Sequence, residues 1–244
     1  MSTLEFVSAE FVSASALVAG LGAHPTLTAP LRCGRTADVA PLWRRLDEAA
    51  RFFGTAIPPV TVLHDAVHGF LAETAARYGE VTVAARIQLL EVGGHAGFVV
   101  SGTVIEPVRA EPVAVAVRPG PVEDRTPHWR RMAARTSSAA EADLHERELR
   151  GAGYADEVYG DGALIGGPRL GALIVETSAG MTGLGTDRLM LLQPAGLLDT
   201  EVSGAESVVL AETKRAWWVS PRFETHPVRV IGTHHFEPEV PGHE

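Results

Sequence analysis

The chain has 244 residues, a formal net charge of −9, 45% hydrophobic and 21% charged residues, which is the composition of an ordinary globular protein long enough for one large or two small domains. Its net negative charge argues against non-specific binding to nucleic acid or to anionic membrane surfaces. Of its 21 basic residues only Lys214 is lysine, so chemistry that needs an amine has one candidate, because a guanidinium stays protonated near neutral pH.

The first part of the chain alternates strand-like and helix-like patterns. Helices are predicted over 41–53, where Pro41 suits a first turn and Gly54 suits an end, and over 60–78. The remaining apolar runs predict strands. They are 4–7, 10–18, 26–31, 81–90, 97–104 and 113–117.

Three prolines and a glycine within residues 118–127 predict a linker. A long helix is predicted over 128–150, followed by a glycine-rich strand region over 157–176 and a turn with a short helix over 180–192. Late strands are predicted at 207–211, 216–220 and 228–231. This order predicts an α+β protein of two lobes. The predicted boundaries are an N-terminal α/β lobe at 1–118, a linker at 119–127 and a C-terminal α/β lobe at 128–244.

Two smaller patterns each have a chemical and a plain interpretation. His64 and His68 share a helix face and could bind a metal, but no carboxylate or cysteine completes a recognisable site, so we predict no metal. Cys33 lies in a turn beside two arginines, a setting that can lower a thiol pKa, although an incidental cysteine is the simpler interpretation. The single cysteine excludes an internal disulfide. No signal peptide or transmembrane segment is recognisable, and we expect a cytoplasmic protein.

The string Gly183-Leu-Gly-Thr-Asp-Arg188 runs into an apolar stretch at 189–192. Glycines followed by threonine at the start of a helix can bring backbone N–H groups onto an anion, and an ordinary capped helix gives the same string. Arg222 follows a late strand. It is a candidate for binding an anion, and an ordinary surface arginine is the alternative interpretation.

Five segments, in order, resemble the class IV pyridoxal-phosphate aminotransferases, the fold-type IV family of branched-chain and D-amino-acid aminotransferases and aminodeoxychorismate lyases. The segments are Gly20–Leu27, Pro41–Ala50 with Arg45 at the family's arginine position, Gly153–Glu157 followed by Asp161-Gly162, Gly183–Arg188, and Glu224–Val228. The resemblance implies two α/β lobes, a linker beside the active site and a homodimer.

The chain departs from the family pattern at two positions that serve the cofactor. The lysine of the family's Lys-Thr-x-Asn string, which forms the Schiff base, falls at Arg135. The glutamate of its Glu-Gly-x-x-x-Asn string, which keeps the pyridine nitrogen protonated, falls at Gly166, and the asparagine falls at Gly171. Because both groups are central to pyridoxal-phosphate chemistry, these departures predict that the chain uses no cofactor and that pyridoxal phosphate is absent.

The main prediction is a pyridoxal-phosphate-independent enzyme on this fold that acts on a small metabolite bearing a carboxylate or phosphate, by lyase- or isomerase-type chemistry. A non-catalytic pseudoenzyme or partner protein on the same scaffold is one alternative. A working pyridoxal-phosphate aminotransferase or lyase that uses Lys214 is the other. The candidate catalytic residues are Arg135, His24, Thr26 and His226, and the candidate anion-binding residues are Arg45, Gly185, Thr186, Ser220 and Arg222.

Overall fold

The computed structural model of the protein describes residues 4–7, 24–92, 95–105, 111–122, 132, 136, 140–192, 195, 197–198 and 201–237. The chain forms two compact units. The first consists of Met1–Ile105 and Thr126–Ala139, and the second of Glu106–Arg125 and Ala140–Glu244.

Among its described residues, the first unit contains a four-stranded antiparallel sheet and two helices. Its strands are β1 (Leu4–Val7), β2 (Thr26–Arg32), β3 (Thr82–Val92) and β4 (His95–Val104), in the order β1-β4-β3-β2. Its helices are α1 (Ala40–Phe53) and α2 (Val60–Tyr78). Both predicted helices are therefore confirmed, as are the predicted strands that correspond to β1–β4.

Local sequence accounts for the two helices. The apolar side of α1 includes the buried residues Leu42 and Leu46, and the helix ends at Gly54, whose φ of 68° is left-handed. Glycine adopts that conformation without steric cost. Helix α2 packs closely on β4 at Gly102, where an added β-carbon would lie 2.9 Å from the Phe70 ring.

The second unit is built on a large mixed sheet with two parallel regions. Among the described residues the sheet has ten strands in the order β10-β9-β8-β12-β13-β5-β6-β7-β11, with β14 paired to β13. The pairs β13–β5, β5–β6 and β10–β9 are parallel. The elements are β5 (Val113–Pro119), α3 (Ala140–Gly151), β6 (Asp156–Gly160), β7 (Leu164–Pro168), β8 (Ala172–Thr177), β9 (Gly180–Leu184), α4 (Thr186–Leu192), β10 (Ser203–Gly204), β11 (Ser207–Val209), a 3₁₀ turn (Leu210–Glu212), β12 (Arg215–Val219), β13 (Thr225–Ile231) and β14 (His234–His235).

Two parts of the sequence prediction differ from the structure. The continuous helix over 128–150 is wrong, because Thr136 forms an antiparallel bridge with Pro25 and α3 covers only Ala140–Gly151. Strand β5 lies in the second unit, because it pairs with β13 and β6 there. The strand predicted over 10–18 lies outside the described residues. The α+β fold class itself is confirmed.

Candidate functional site

Three turns of the second unit meet at one end of its sheet. They join β7 to β8, β9 to α4, and β12 to β13. The strand register places them together, because Val219 pairs with both Ala172 and Thr225, and Leu173 pairs with Leu184. Loops held by a rigid sheet are common positions for binding and catalytic groups, so this end of the sheet is the candidate site.

Three glycines bring these turns into backbone contact. A β-carbon added at Gly167 would lie 3.2 Å from the backbone nitrogen of Gly185, and one added at Gly185 would lie 3.2 Å from the carbonyl oxygen of Gly171. At Gly171 an added β-carbon would lie 2.2 Å from the Val219 carbonyl oxygen. Gly185 also has a left-handed φ of 80°. We call Gly167, Gly171 and Gly185 the glycine cradle. A side chain at any of them would come close to backbone atoms of a neighbouring turn or strand.

Arg188, on α4, ties two of the turns together. Its Nη1 donates to the Pro221 carbonyl oxygen at 2.9 Å, and its Nη2 donates to the Leu170 carbonyl oxygen at 3.3 Å. The guanidinium also lies 5.0 Å from the centre of the Phe223 ring, within the range of a cation–π contact. Arg188 thus links the β7–β8 turn to the β12–β13 turn through these hydrogen bonds.

Asp156 holds the β7–β8 turn through hydrogen bonds to its backbone. Its side chain is buried at the start of β6, where Oδ2 accepts hydrogen bonds from the Gly171 backbone at 2.7 Å and from the Trp218 Nε1 at 2.8 Å. The Leu170 and Glu157 backbone N–H groups donate to the same carboxylate. Burial raises the pKa of Asp156, and the surrounding N–H donors act in the opposite direction.

The next residue, Glu157, is a second buried acid that points to the other face of β6. Its carboxylate oxygens lie 3.0 Å from Arg118 Nη2, 3.2 Å from Arg169 Nη1 and 3.2 Å from His145 Nε2. The His145 contact has the distance of an ion pair but not hydrogen-bond geometry, because its Nε2 has no hydrogen-bond partner. Since Arg169 opens the β7–β8 turn, Asp156 and Glu157 hold that turn together.

The structure brings several of the predicted anion-binding residues to these turns. Gly185 lies in the glycine cradle, and Thr186 begins α4. The Ser220 hydroxyl oxygen accepts from the backbone N–H groups of Arg222 at 3.2 Å and Glu224 at 3.1 Å, so it caps its own turn. The Arg222 side chain is exposed.

His226 lies on β13, next to the same turn. Its ring is 5.6 Å from the Trp218 ring, and its Nδ1 is 3.3 Å from the Glu111 carbonyl oxygen. The two side chains are cross-strand neighbours, because Trp218 and His226 are paired in register.

The other predicted residues lie elsewhere in the chain. Arg45 is half-buried on α1, and the Thr26 hydroxyl donates to the His24 carbonyl oxygen at 2.9 Å. All three belong to the first unit. Arg135 lies outside the described residues.

Three further sequence signals can be compared with the structure. The rings of His64 and His68 have centres 4.1 Å apart, and the described part of the chain contains no group of three or more His, Cys, Asp or Glu residues suited to a metal ion. Cys33 is buried, and this burial raises its thiol pKa, which is the opposite of an activated thiol. Among the described residues no helix has the length and apolar character needed to cross a membrane.

Lys214 is exposed and directly precedes β12. Its backbone N–H donates to the Glu176 carbonyl oxygen, near the end of β8 that lies away from Gly171. Ser220 is six residues further on, and a strand of that length spans about 20 Å. The only lysine of the chain therefore lies at the opposite end of β12 from the three turns.

The position aligned with the family's glutamate is occupied differently. A β-carbon added at Gly166 would lie 2.5 Å from the Val122 carbonyl oxygen. The Val122 backbone therefore covers Gly166, and a side chain there would require that backbone to move. At the asparagine position, Gly171, an added β-carbon would lie 2.6 Å from the Trp218 Nε1.

Comparison with solved structures identifies the fold. A hypothetical aminotransferase from Mycobacterium tuberculosis in its PLP-bound form has a TM-score of 0.71 and 16% identity, over 98% of this chain and 94% of that chain. A fold IV-transaminase from Curtobacterium pusillum has a TM-score of 0.70 and 14% identity, over 98% and 95%. A putative 4-amino-4-deoxychorismate lyase from Legionella pneumophila has a TM-score of 0.58 and 12% identity, over 89% and 87%. The chain has the fold of the class IV aminotransferases, as the sequence resemblance predicted. No protein-family model and no curated protein matches the sequence.

The prediction that no cofactor is used is wrong in the light of these structures. The Mycobacterium protein is bound to PLP in one structure and to alpha-ketoglutarate and PMP in another, and an aminotransferase from Brucella abortus of the same fold is bound to PLP. The prediction weighed two substituted positions more heavily than the fold as a whole. Three solved structures that share the fold hold PLP or PMP.

Sequence reasoning recognised part of the site and missed the residues that shape it. It selected Gly185 because the glycine-rich string is contiguous. It did not select Gly167, Arg188 or Trp218, whose partners lie far away in sequence. Asp156 and Glu157 were noted as a motif only, although two adjacent acids leading into an apolar strand are a signal of buried and paired carboxylates.

Proposed function

We propose that the chain is an enzyme on the class IV aminotransferase fold that acts on a small anionic metabolite, with a phosphate or carboxylate group held at the glycine cradle. The phosphate of pyridoxal phosphate belongs to this class of anion, and pyridoxal phosphate is the first ligand to test because solved structures of the fold contain it. Lyase- or isomerase-type reactions on carboxylate-bearing metabolites are the activities to assay.

The observation that carries the proposal is the close approach of Gly167 to the Gly185 backbone nitrogen, which the absence of a side chain at Gly167 permits. A side chain at Gly167 would cover this nitrogen, since its β-carbon alone would come within 3.2 Å. Backbone amides exposed where glycines permit close approach are a recurrent way of holding anionic oxygens. Arg222, exposed on the neighbouring turn, can add a bidentate contact to the same anion.

Two parts of pyridoxal phosphate can be tested against the residues present. Its phosphate suits the glycine cradle, which offers a backbone N–H and a nearby arginine. Its aldehyde has no lysine at this end of β12, because Lys214 is about 20 Å along the strand. We therefore assign these residues a role in binding and orienting the anion.

A binding experiment tests the proposal. The protein is titrated with pyridoxal phosphate, pyridoxamine phosphate, pyridoxal without phosphate, and inorganic phosphate, with binding followed by calorimetry and by the cofactor's absorbance. We expect saturable binding of the phosphate-bearing compounds and much weaker binding of pyridoxal. Equal binding of pyridoxal and pyridoxal phosphate, or no binding of any compound in the panel, would contradict the proposal.

Lys214→Ala is the matched control for the lysine-based alternative. Because Lys214 is distant from the glycine cradle, we expect the variant to bind pyridoxal phosphate as the wild type does. Borohydride reduction followed by mass spectrometry identifies any covalent attachment. A cofactor fixed on Lys214, with binding lost in the variant, would favour a pyridoxal-phosphate enzyme that uses this lysine.

The remaining candidates are part of the same proposal. Arg45 stays proposed as an anion-binding residue, and Arg135, His24, Thr26 and His226 stay proposed as catalytic residues, with the histidines suited to donate or accept a proton. Alanine variants of each, assayed in the binding titration above, separate the residues that matter from those that do not. A homodimer is expected from the resemblance, and sedimentation analysis measures it.

A further inference from the structure

Both backbone polar groups of Leu170 are held by charged side chains. Its N–H donates to both carboxylate oxygens of Asp156, at 3.0 and 3.2 Å, and its carbonyl oxygen accepts from Arg188 Nη2 at 3.3 Å. Charge-assisted hydrogen bonds of this kind are stronger than neutral ones. Because the Gly171 N–H also donates to Asp156, the Leu170–Gly171 peptide is fixed between a buried anion and a cation.

The consequence reaches the glycine cradle directly. Gly171 follows Leu170 and donates to Asp156 Oδ2 at 2.7 Å. Its carbonyl oxygen lies close to Gly185, because a β-carbon added at Gly185 would be 3.2 Å from that oxygen. A shift of the Leu170–Gly171 peptide therefore displaces the Gly171 carbonyl oxygen that lies close to the Gly185 turn.

Arg188 also supports a conformation that would otherwise be unfavourable. Phe223 has a φ of 65°, the one left-handed non-glycine residue in the described part of the chain. Such a backbone conformation is unfavourable for a residue with a β-carbon unless its surroundings hold it. Here the buried ring lies 5.0 Å from the Arg188 guanidinium, and the backbone N–H of Phe223 donates to Ser220.

We infer that Asp156 and Arg188 are a pair of positioning residues that set the geometry of the glycine cradle. Neither is assigned contact with the ligand: each acts through the Leu170–Gly171 peptide, and Arg188 also acts through the Ser220–Glu224 turn. The inference deepens the proposed function and rests on it for the ligand. It also makes a statement about the unliganded protein that can be tested alone.

Trp218 supplies a built-in reporter of the pair. Its Nε1 donates at 2.8 Å to the same Asp156 oxygen that accepts from Gly171. A change in the Leu170–Gly171 peptide therefore alters the hydrogen bond of the Trp218 indole, although Trp218 has no hydrogen bond of its own to Arg188 in the structure. The ¹⁵N–¹H resonance of that indole measures the coupling, and Trp218→Phe assigns it.

The experiment compares Arg188→Gln, Arg188→Lys and Asp156→Asn with wild type. Arg229→Gln, a change of an exposed arginine on β13, is the matched control. In the unliganded protein we expect Arg188→Gln to shift both the Trp218 indole and the Gly171 amide resonances, with Arg188→Lys intermediate and Arg229→Gln unchanged. For pyridoxal phosphate we expect Kd to rise about tenfold or more in Arg188→Gln and Asp156→Asn, because small displacements of binding groups are costly.

The outcomes separate the two proposals. If wild type binds none of the phosphate compounds, the proposed function fails, while the resonance shifts still decide whether Arg188 and Asp156 are coupled. If Arg188→Gln is folded by circular dichroism and leaves the Trp218 and Gly171 resonances in place, the inference is overturned. If wild type binds pyridoxal phosphate and Arg188→Gln binds it with the same Kd, the inference is overturned as well. Should Asp156→Asn fail to fold, the two Arg188 variants carry the test.

Discussion

Gly167 has no β-carbon, and a side chain at this position would come close to the Gly185 backbone nitrogen. Gly167 has no positive φ, so alanine can adopt its backbone conformation, and the only demand on the surroundings is at the 3.2 Å approach to the Gly185 nitrogen. Gly171 is different, because an added β-carbon would lie 2.2 Å from the Val219 carbonyl oxygen. Gly167 is therefore the position where binding can be separated from folding.

Gly167→Ala is expected to weaken phosphate binding while leaving the fold intact. Loss of one hydrogen bond to a charged group costs about 1.5–3 kcal/mol, which is about tenfold or more in Kd. The free energy of unfolding should change by less than about 1 kcal/mol, since alanine also reduces the entropy of the unfolded chain. Calorimetric titration with pyridoxal phosphate and urea denaturation measure the two quantities.

Gly151→Ala is the control for this substitution, because an added β-carbon there meets no atom within 4 Å. It should leave both binding and stability close to those of wild type. Wild-type affinity in Gly167→Ala would mean that the anion does not use the Gly185 amide.

Single residues show clearly where sequence reasoning reached and where it stopped. Gly185 was predicted, because its neighbours in the string are also its neighbours in space. Gly167 and Arg188 act on partners that are 18 or more residues away, such as Gly185 and Leu170, and no local pattern encodes such a pair. The cofactor prediction failed for a related reason, since it was based on two aligned positions and not on the whole fold.

Individual elements were predicted where their signals are local. Helix α2 was predicted with its observed bounds, because its periodicity and its flanking proline and glycine are adjacent in sequence. The helix predicted over 128–150 was too long, because the pairing of Thr136 with Pro25 is a long-range contact. An apolar period cannot indicate that a neighbouring strand will compete for the same backbone.

Strands β8 and β12 are joined by an ion pair whose contribution depends on pH. Arg215 and Glu176 are opposite each other in register, and the hydrogen bond from Arg215 lowers the pKa of Glu176 below its ordinary value of 4.5. A lowered pKa in the folded state stabilises the protein above the ordinary pKa, and this stabilisation is lost as the pH falls through the folded-state value. The pair therefore stabilises at neutral pH and fades below about pH 4.5.

Arg215→Gln tests this interpretation of the strand pair. We expect its free energy of unfolding to be slightly lower than that of wild type at pH 7, and the part of the difference due to charge to be smaller at pH 3. Glu176→Gln is the matched control, because it removes the charge pair but keeps Arg215 beside the Trp217 ring, 5.7 Å away. A difference that is the same at both pH values in both variants would show that the pair adds no pH-dependent stability.

At the scale of the whole molecule, the position of β5 decides where one unit ends and the other begins. The sequence places a proline-rich boundary after this strand, whereas its hydrogen bonds lead to β13 and β6 in the second unit. Parallel pairing of this kind joins strands that are far apart in sequence. The chain passes from the second unit to the first between Arg125 and Thr126, so the proline-rich segment 118–127 contains one boundary between the units, and β5 belongs to the second unit.

A destabilising change in the first unit should therefore leave β5 protected. Phe70 is buried on α2 against Gly102, and Phe70→Ala removes about 3–5 kcal/mol of stabilisation from its surroundings. If the units open separately, hydrogen exchange should accelerate in β3 and β4 while the amides of Val113–Pro119 exchange at wild-type rates, because local opening follows cooperative units. Val104→Ala, at a half-exposed position of β4, controls for a mild change in the same unit. If the β5 amides instead accelerate together with those of β3 and β4, then β5 is energetically part of the first unit, and the boundary predicted at 119–127 describes the folding of the chain better than the pairing of its strands does.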